Sequence, residues 1–283
     1  MMDDKLRHML NELTQKTFGF DFEGWVGGGY FEGDYIPYSL VCDGKIVSNV
    51  SANRMHFVQN GIPKDYIQIG TVMTDPDHRN QGLAAKLMRH VIAEYENDSD
   101  GIYLFGDLSA AGFYGKMGFK IENQYRFFVR EGCFDRDKKD YFKAVKDMPE
   151  EVKEHYLELV RNSASYSSFE QINRYGLQMF YTADLDTVFY DEDMDRFIVL
   201  DEDGDTVLQS VLSEEKAALK DVIARITVSG NRLRLGFTPQ ESDRDICLYE
   251  EYDGGEDYRL FYRGEGIGSI EKDKLYFPDL SHA

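Results

Sequence analysis

Pro76 closes a strand-like run over residues 66–74, and six positions later Gly82 opens a run with one continuous apolar face. Proline cannot donate to a sheet ladder, so it ends the strand. Leu83, Leu87, Met88, Val91, Ile92 and Tyr95 share one face of a helix drawn over residues 82–95. A short apolar strand follows at 102–105. A strand that feeds through a brief turn into an amphipathic helix, and then into another strand, must lay that helix on a sheet. The fold class this predicts is α/β, with a mixed sheet and helices on its faces.

The flanking segments extend this pattern. Residues 1–17 carry Leu6, Leu10 and Leu13 at helical spacing, and Gly27-Gly28-Gly29 marks residues 18–33 as a loop. Asp43-Gly44 sits between two strand-like runs in residues 38–57, the signature of a hairpin. A small helix over 110–116 and a strand over 125–129 complete the first half. The Asp- and Lys-rich stretch after it reads as a linker, which divides the chain into 1–133, a linker at 134–149, and 150–283. The second half repeats the order. It has a helix at 149–160, strands at 187–190, 197–200 and 206–212, and a helix begun by Ser213 and reaching residue 226. Strands at 232–237, 246–249, 258–263 and 274–277 follow. Ser213-Glu214-Glu215 places two carboxylates at that helix start, where they satisfy its dipole and would repel a bound anion.

Charge narrows the partners. There are 32 basic and 52 acidic side chains, a net charge of −20, which disfavours nucleic acid and attracts a cationic small molecule or a basic peptide. No apolar run is long enough for a spanning helix, and the first residues lack the pattern of a secretory signal. Cys42, Cys133 and Cys247 are too few and too scattered for a disulfide scaffold, and the six histidines show no metal spacing. These features predict a cytoplasmic protein with no membrane segment and no metal.

The turn after Pro76 suits an anion. The first amides of a helix lack internal partners and carry the positive end of its dipole. Gly82 and Ala84 permit close approach, and Arg79 adds a charged donor. A pyrophosphate fits such a cradle. The spacing is neither that of a Walker loop nor that of a dinucleotide fingerprint. Gly264-Glu265-Gly266-Ile267-Gly268 reads as a loose turn, and so does Asp201 to Asp205, despite its likeness to a calcium loop.

Arg79-Asn80-Gln81-Gly82-Leu83-Ala84 after Thr74-Asp75-Pro76 resembles the signature of the GNAT N-acetyltransferase superfamily. So does Asp107-Leu108-Ser109-Ala110 running into Tyr114-Gly115-Lys116-Met117-Gly118-Phe119, with Asp107 where the family usually has asparagine. The resemblance implies that acetyl-CoA lies where two parallel strands splay apart. Backbone groups of Val72, Met73 and Thr74 would meet its pantetheine. Amides of Arg79, Asn80, Gln81, Gly82, Leu83, Ala84 and Ala85 would hold its pyrophosphate. Tyr114 matches the family's general acid, and Glu32, Asp34 and Tyr38 fall where the fold borders the acceptor. The run from Val72 to Leu83 also resembles the enhanced-intracellular-survival acetyltransferases. These have a second GNAT-like domain, and their terminal carboxylate acts as base. That implies the same role for Ala283, with His282 as the other option. The second half would then be a GNAT-like fold without a cofactor site that shapes the acceptor pocket. Two functions follow as expectations: acetyl transfer to a primary amine, or a non-catalytic CoA-binding or sensory module.

Overall fold

In the computed structural model, residues 1, 3–134, 141–267 and 269–283 are described. Residues 135–140 of the expected linker and Gly268 of the glycine-rich turn lie outside them. The first helix, α1 (Asp4–Phe18), starts where the Asp3 carboxylate accepts the Leu6 amide at 2.9 Å, and it stops at Gly19, whose φ is +81°. The segment expected as a plain loop contains a short helix, α2 (Glu23–Gly27). Asp43-Gly44 turns β1 (Tyr35–Cys42) into β2 (Lys45–Gln59), as the sequence predicts. Then come β3 (Ile62–Thr74), α3 (Leu83–Tyr95), β4 (Gly101–Gly106), α4 (Ala111–Gly115) and β5 (Lys120–Glu122).

Next in the chain are β6 (Gln124–Val129), β7 (Lys143–Ala144), α5 (Glu150–Asn162), β8 (Phe169–Gln171) and α6 (Tyr175–Thr182). The meander β9 (Val188–Asp191), β10 (Arg196–Asp203) and β11 (Asp205–Leu212) leads to α7 (Leu219–Ile223) and β12 (Leu233–Leu235). Last are β13 (Cys247–Tyr252), β14 (Arg259–Arg263) and α8 (Ile270–Asp273). The helix expected over 213–226 is therefore a single short turn. Ser213 does not cap it. Its hydroxyl donates to the Glu215 carbonyl and shares a bond with the Tyr166 hydroxyl. The strand expected at 274–277 belongs to neither sheet.

The two sheets have matching plans. One runs β1-β2-β3-β4-β14-β5, and the other runs β13-β6-β12-β11-β10-β9-β7. Each contains an antiparallel meander joined to one parallel pair, β3 with β4 and β11 with β12. The halves expected from sequence are thus present as a repeat of topology, but they exchange strands. β6 follows β5 along the chain yet pairs with β12 and β13, whereas β14 returns to lie between β4 and β5. A boundary at residue 133 consequently does not separate the sheets. Alternation along β14 explains why both layers need it. Phe261 packs with Leu87, Val91 and Tyr114 on the α3 side, while Leu260 packs with Phe57, Tyr103 and Phe277 on the other. No helix among the described residues is long and apolar enough to cross a membrane.

Phe261 is 1% exposed, so Phe261→Ala should cost about 3–5 kcal/mol in urea unfolding. Because β14 bridges the halves, fluorescence and circular dichroism should give one shared midpoint. Two separated transitions would contradict a cooperative pair of sheets.

Candidate active site

The site begins with a fault in a strand. β3 pairs with β4 over Tyr66–Gln68 against Gly101–Tyr103 and no further. Beyond that point the β2 ladder skips from Ser51–Gly70 to Asn49–Met73, and Thr71 adopts a φ of +41°. A β-branched residue held there is strained by roughly 1–3 kcal/mol. A ring of polar groups holds it. The Thr71 hydroxyl bonds the Tyr35 hydroxyl at 2.8 Å and the Ser51 hydroxyl at 2.6 Å, and the Asn49 amide donates to the Thr71 carbonyl at 3.1 Å. The bulge leaves β3 and β4 open to each other, and a cavity of about 510 Å³ lies between them.

At the outer end of this opening is the turn after Pro76. Asn80 and Gly82 have φ values of +62° and +74°, which folds the chain back before α3. No side chain caps α3, and its first turn holds no acid, so the amides of Leu83, Ala84 and Ala85 remain available. Arg79 is exposed and reaches back to the Thr74 carbonyl at 3.4 Å. None of Arg79 to Ala85 lines the cavity, so cradle and cavity are successive parts of one path along β3. Val72 lines the inner part. Met73 does not present its side chain to this path, because that side chain is buried against α1 and its carbonyl accepts from Ser48 at 3.1 Å. The cradle and the opening fit a long ligand with an anionic end.

Tyr114 and Ala283 meet this cavity from different elements. Tyr114 is carried by α4 against Phe113, Phe119 and Phe261, and burial pushes its hydroxyl up to about 12, so it stays protonated at neutral pH. Ala283 rests on β3. A Cβ at Gly70 would stand 2.8 Å from the Ala283 oxygen and 3.0 Å from the Asn53 amide nitrogen, so only glycine admits that residue here. His282 stacks on Phe105 with centroids 4.0 Å apart, and the Tyr181 hydroxyl donates to its carbonyl. Its Nε2 is out of water with no hydrogen-bond partner among the described residues.

Residues 34–121 match the family described as the acetyltransferase (GNAT) domain. Within residues 34–121 the chain carries a GNAT acetyltransferase domain. The matched span runs from the residue before β1 into β5, and it includes the bulge, the cradle and Tyr114. No curated protein matches the chain by sequence. Solved structures resemble it over nearly its whole length. A GCN5-related N-acetyltransferase from Kribbella flavida is 16% identical with a TM-score of 0.56, covering 93% of this chain and 71% of that one. A probable N-acyltransferase from Enterococcus faecalis is 15% identical with a TM-score of 0.55, covering 95% and 72%. Eis1 from Mycobacterium abscessus is 12% identical with a TM-score of 0.51, covering 92% and 71%. These likenesses carry the fold of both halves, and the match over residues 34–121 points to an acyltransferase enzyme.

Around the GNAT domain the other expected positions divide. Glu32 and Asp34 both line the cavity, but each is engaged: Glu32 pairs with Arg161, and Asp34 accepts from the Asn173 amide at 2.8 Å. Tyr38 is not at the cavity. It lies three positions after Tyr35, and an odd step along a strand reverses the face. Its hydroxyl therefore bonds Glu94 at 2.7 Å and Tyr95 at 2.9 Å on α3. Asp107 caps the turn Leu108–Ala110, and the Ser109 bonds hold its carboxyl below the usual range. Sequence reasoning missed the aromatic lining from Phe18, Phe20, Phe22, Trp25, Phe180 and Tyr181. The alternation of phenylalanine at 18, 20 and 22 was the available signal.

The second half has the same parallel pair, but its opening is filled. Beyond Leu208 and Leu235 the chain's own tail occupies the gap, with the Asp279 amide donating to the Gly236 carbonyl at 2.8 Å and Asp279 paired with Arg234 at 3.1 Å. A Cβ at Gly236 would meet the Asp279 carboxylate at 2.6 Å.

Burial pushes His282 down from 6.5 to about 4. Between these values the unfolded chain binds the extra proton, so this residue's contribution to stability is complete above pH 6.5 and is lost as pH falls toward 4. His282→Phe should flatten the stability profile across that window by up to roughly 3 kcal/mol. Equal slopes for variant and parent would contradict the burial of a neutral imidazole.

Proposed function

We propose that the chain transfers the acetyl group of acetyl-CoA to a primary amine of a cationic small molecule or basic peptide, by direct attack within a ternary complex in the cytoplasm. The observation that carries this reading is the convergence of Tyr114 and Ala283 on one cavity at the β3 bulge. Three free cysteines agree with a reducing compartment. The second half shapes the acceptor side, since Asn173, Gly176, Phe180, Asp257 and Tyr258 line the cavity with first-half residues.

Bound acetyl-CoA supplies the thioester and its thiolate leaving group. The amides of Leu83, Ala84 and Ala85, with Arg79, hold the pyrophosphate at the start of α3. The backbone along Val72 and Thr74 orients the pantetheine, and an amide there steadies the charge that develops on the thioester oxygen. The carboxylate of Ala283 takes a proton from the incoming ammonium, and Gly70 leaves it room. Tyr114, kept protonated by burial, gives its proton to the departing sulfur. The acidic lining attracts the cation: Asp34, Asp107 and Asp257 outnumber Arg54 there, while burial keeps His282 neutral.

Tyr114→Phe should lower kcat by about 10²–10⁴-fold while calorimetry finds acetyl-CoA affinity unchanged. One glycine added after Ala283 should also lower kcat, and it should shift the acidic limb of the pH–rate profile. Unchanged kcat in both proteins would remove Tyr114 and Ala283 from the mechanism.

A further inference from the structure

The acceptor end of the cavity has a composition that the transfer reaction alone does not require. Phe20, Phe22, Trp25 and Phe180 form one interlocked wall, with the Phe20–Phe180 centroids at 5.5 Å and the Trp25–Phe180 centroids at 6.0 Å. These rings come from the turn after α1, from α2 and from α6, elements of both halves. The Trp25 indole nitrogen already donates to the Gly176 carbonyl at 2.7 Å, so the wall offers an incoming molecule ring surface and no hydrogen-bond donor. At the mouth Phe18 is 48% exposed and Tyr258 is 53% exposed, and both line the same cavity. Large apolar side chains left open around one concavity mark a surface that a ligand covers.

A set of polar groups gathers at the bulge. Phe22 packs on Tyr35 at 4.9 Å, and the Tyr35 hydroxyl reaches the Thr71 bulge beside Gly70 and Ala283. The cavity therefore has a carboxylate end at the bulge and an apolar end at the aromatic wall. Resting on the acetyltransferase reading above, we infer that the acceptor is a primary amine attached to a single apolar body, aromatic or bulky alkyl. Its ammonium lies toward Ala283 and its body against Trp25 and Phe180. A polyhydroxylated amine would bury hydroxyls against rings that cannot satisfy them.

Trp25 is the single tryptophan of the chain, so its emission reports on the wall whether or not turnover occurs. The probes are 4-phenylbutylamine against putrescine and kanamycin, each titrated with CoA present and each assayed for thiol release from acetyl-CoA. Saturable quenching by 4-phenylbutylamine at lower concentration than by the polar amines is expected, with kcat/KM favouring it by about tenfold or more. Phe180→Ala, and the milder Phe180→Leu if the first folds poorly, should reduce that selectivity ratio by about tenfold. Preference for putrescine or kanamycin, or a ratio untouched by both variants, overturns the inference and leaves the acetyltransferase reading standing. If no amine is turned over, the acetyltransferase reading fails. In that case saturable quenching by 4-phenylbutylamine still supports the apolar subsite, and its absence overturns it.

Discussion

The hydrogen-bonded ring that pins Thr71 is the contact on which the site depends. Without the Tyr35 and Ser51 hydroxyls and the Asn49 amide, Thr71 would relax toward ordinary extended geometry. β3 would then continue its pairing with β4, and the opening would close. The strain is local and small beside the whole fold, yet it separates two strands beyond Gln68 and Tyr103. The same ring links the bulge to the aromatic wall through Tyr35, so the strand fault and the acceptor surface are mechanically one unit.

The second half has the corresponding parallel pair, β11 with β12. Its tail fills the gap beyond β11 and β12, anchored by Asp279 on Arg234 and Gly236, and the chain then continues across to the first sheet. Leu280 is buried, His282 stacks on Phe105, and Ala283 reaches Gly70. One segment thus plugs one repeat and furnishes the other. The exchange of β6 and β14 fixes the register of this arrangement, because neither half can move away without breaking a sheet.

Much of this was legible where the signals are local. Pro76, Gly82 and the apolar stripe of α3 give the strand, turn and helix, and Asp43-Gly44 gives the hairpin, since each depends on residues a few positions apart. The place of Tyr114 at the cavity was legible through its motif. Strand exchange was not, because nothing in Gln124–Val129 or Arg259–Arg263 states which of two similar sheets it joins. Pairing partners far apart in the chain leave no spacing to read. Tyr38 failed on parity, as its neighbour Tyr35 occupies the face that looks into the cavity. The aromatic wall was obscured by the glycines that follow it, which read as a loop although Trp25 sits on α2. Gly70, a glycine inside a strand, was the one sequence mark of the bulge, and its meaning emerges only with Ala283 beside it.

On the proposed mechanism, the bulge at Thr71 opens β3 from β4 to receive the coenzyme. A crystal structure of the chain grown with CoA tests it directly. Density is expected for the pantetheine between Val72 and the β4 edge, with the diphosphate on the first amides of α3 and the sulfur facing Tyr114. Coenzyme bound elsewhere, or strands paired through Thr74 with Thr71 in ordinary extended geometry, would contradict it.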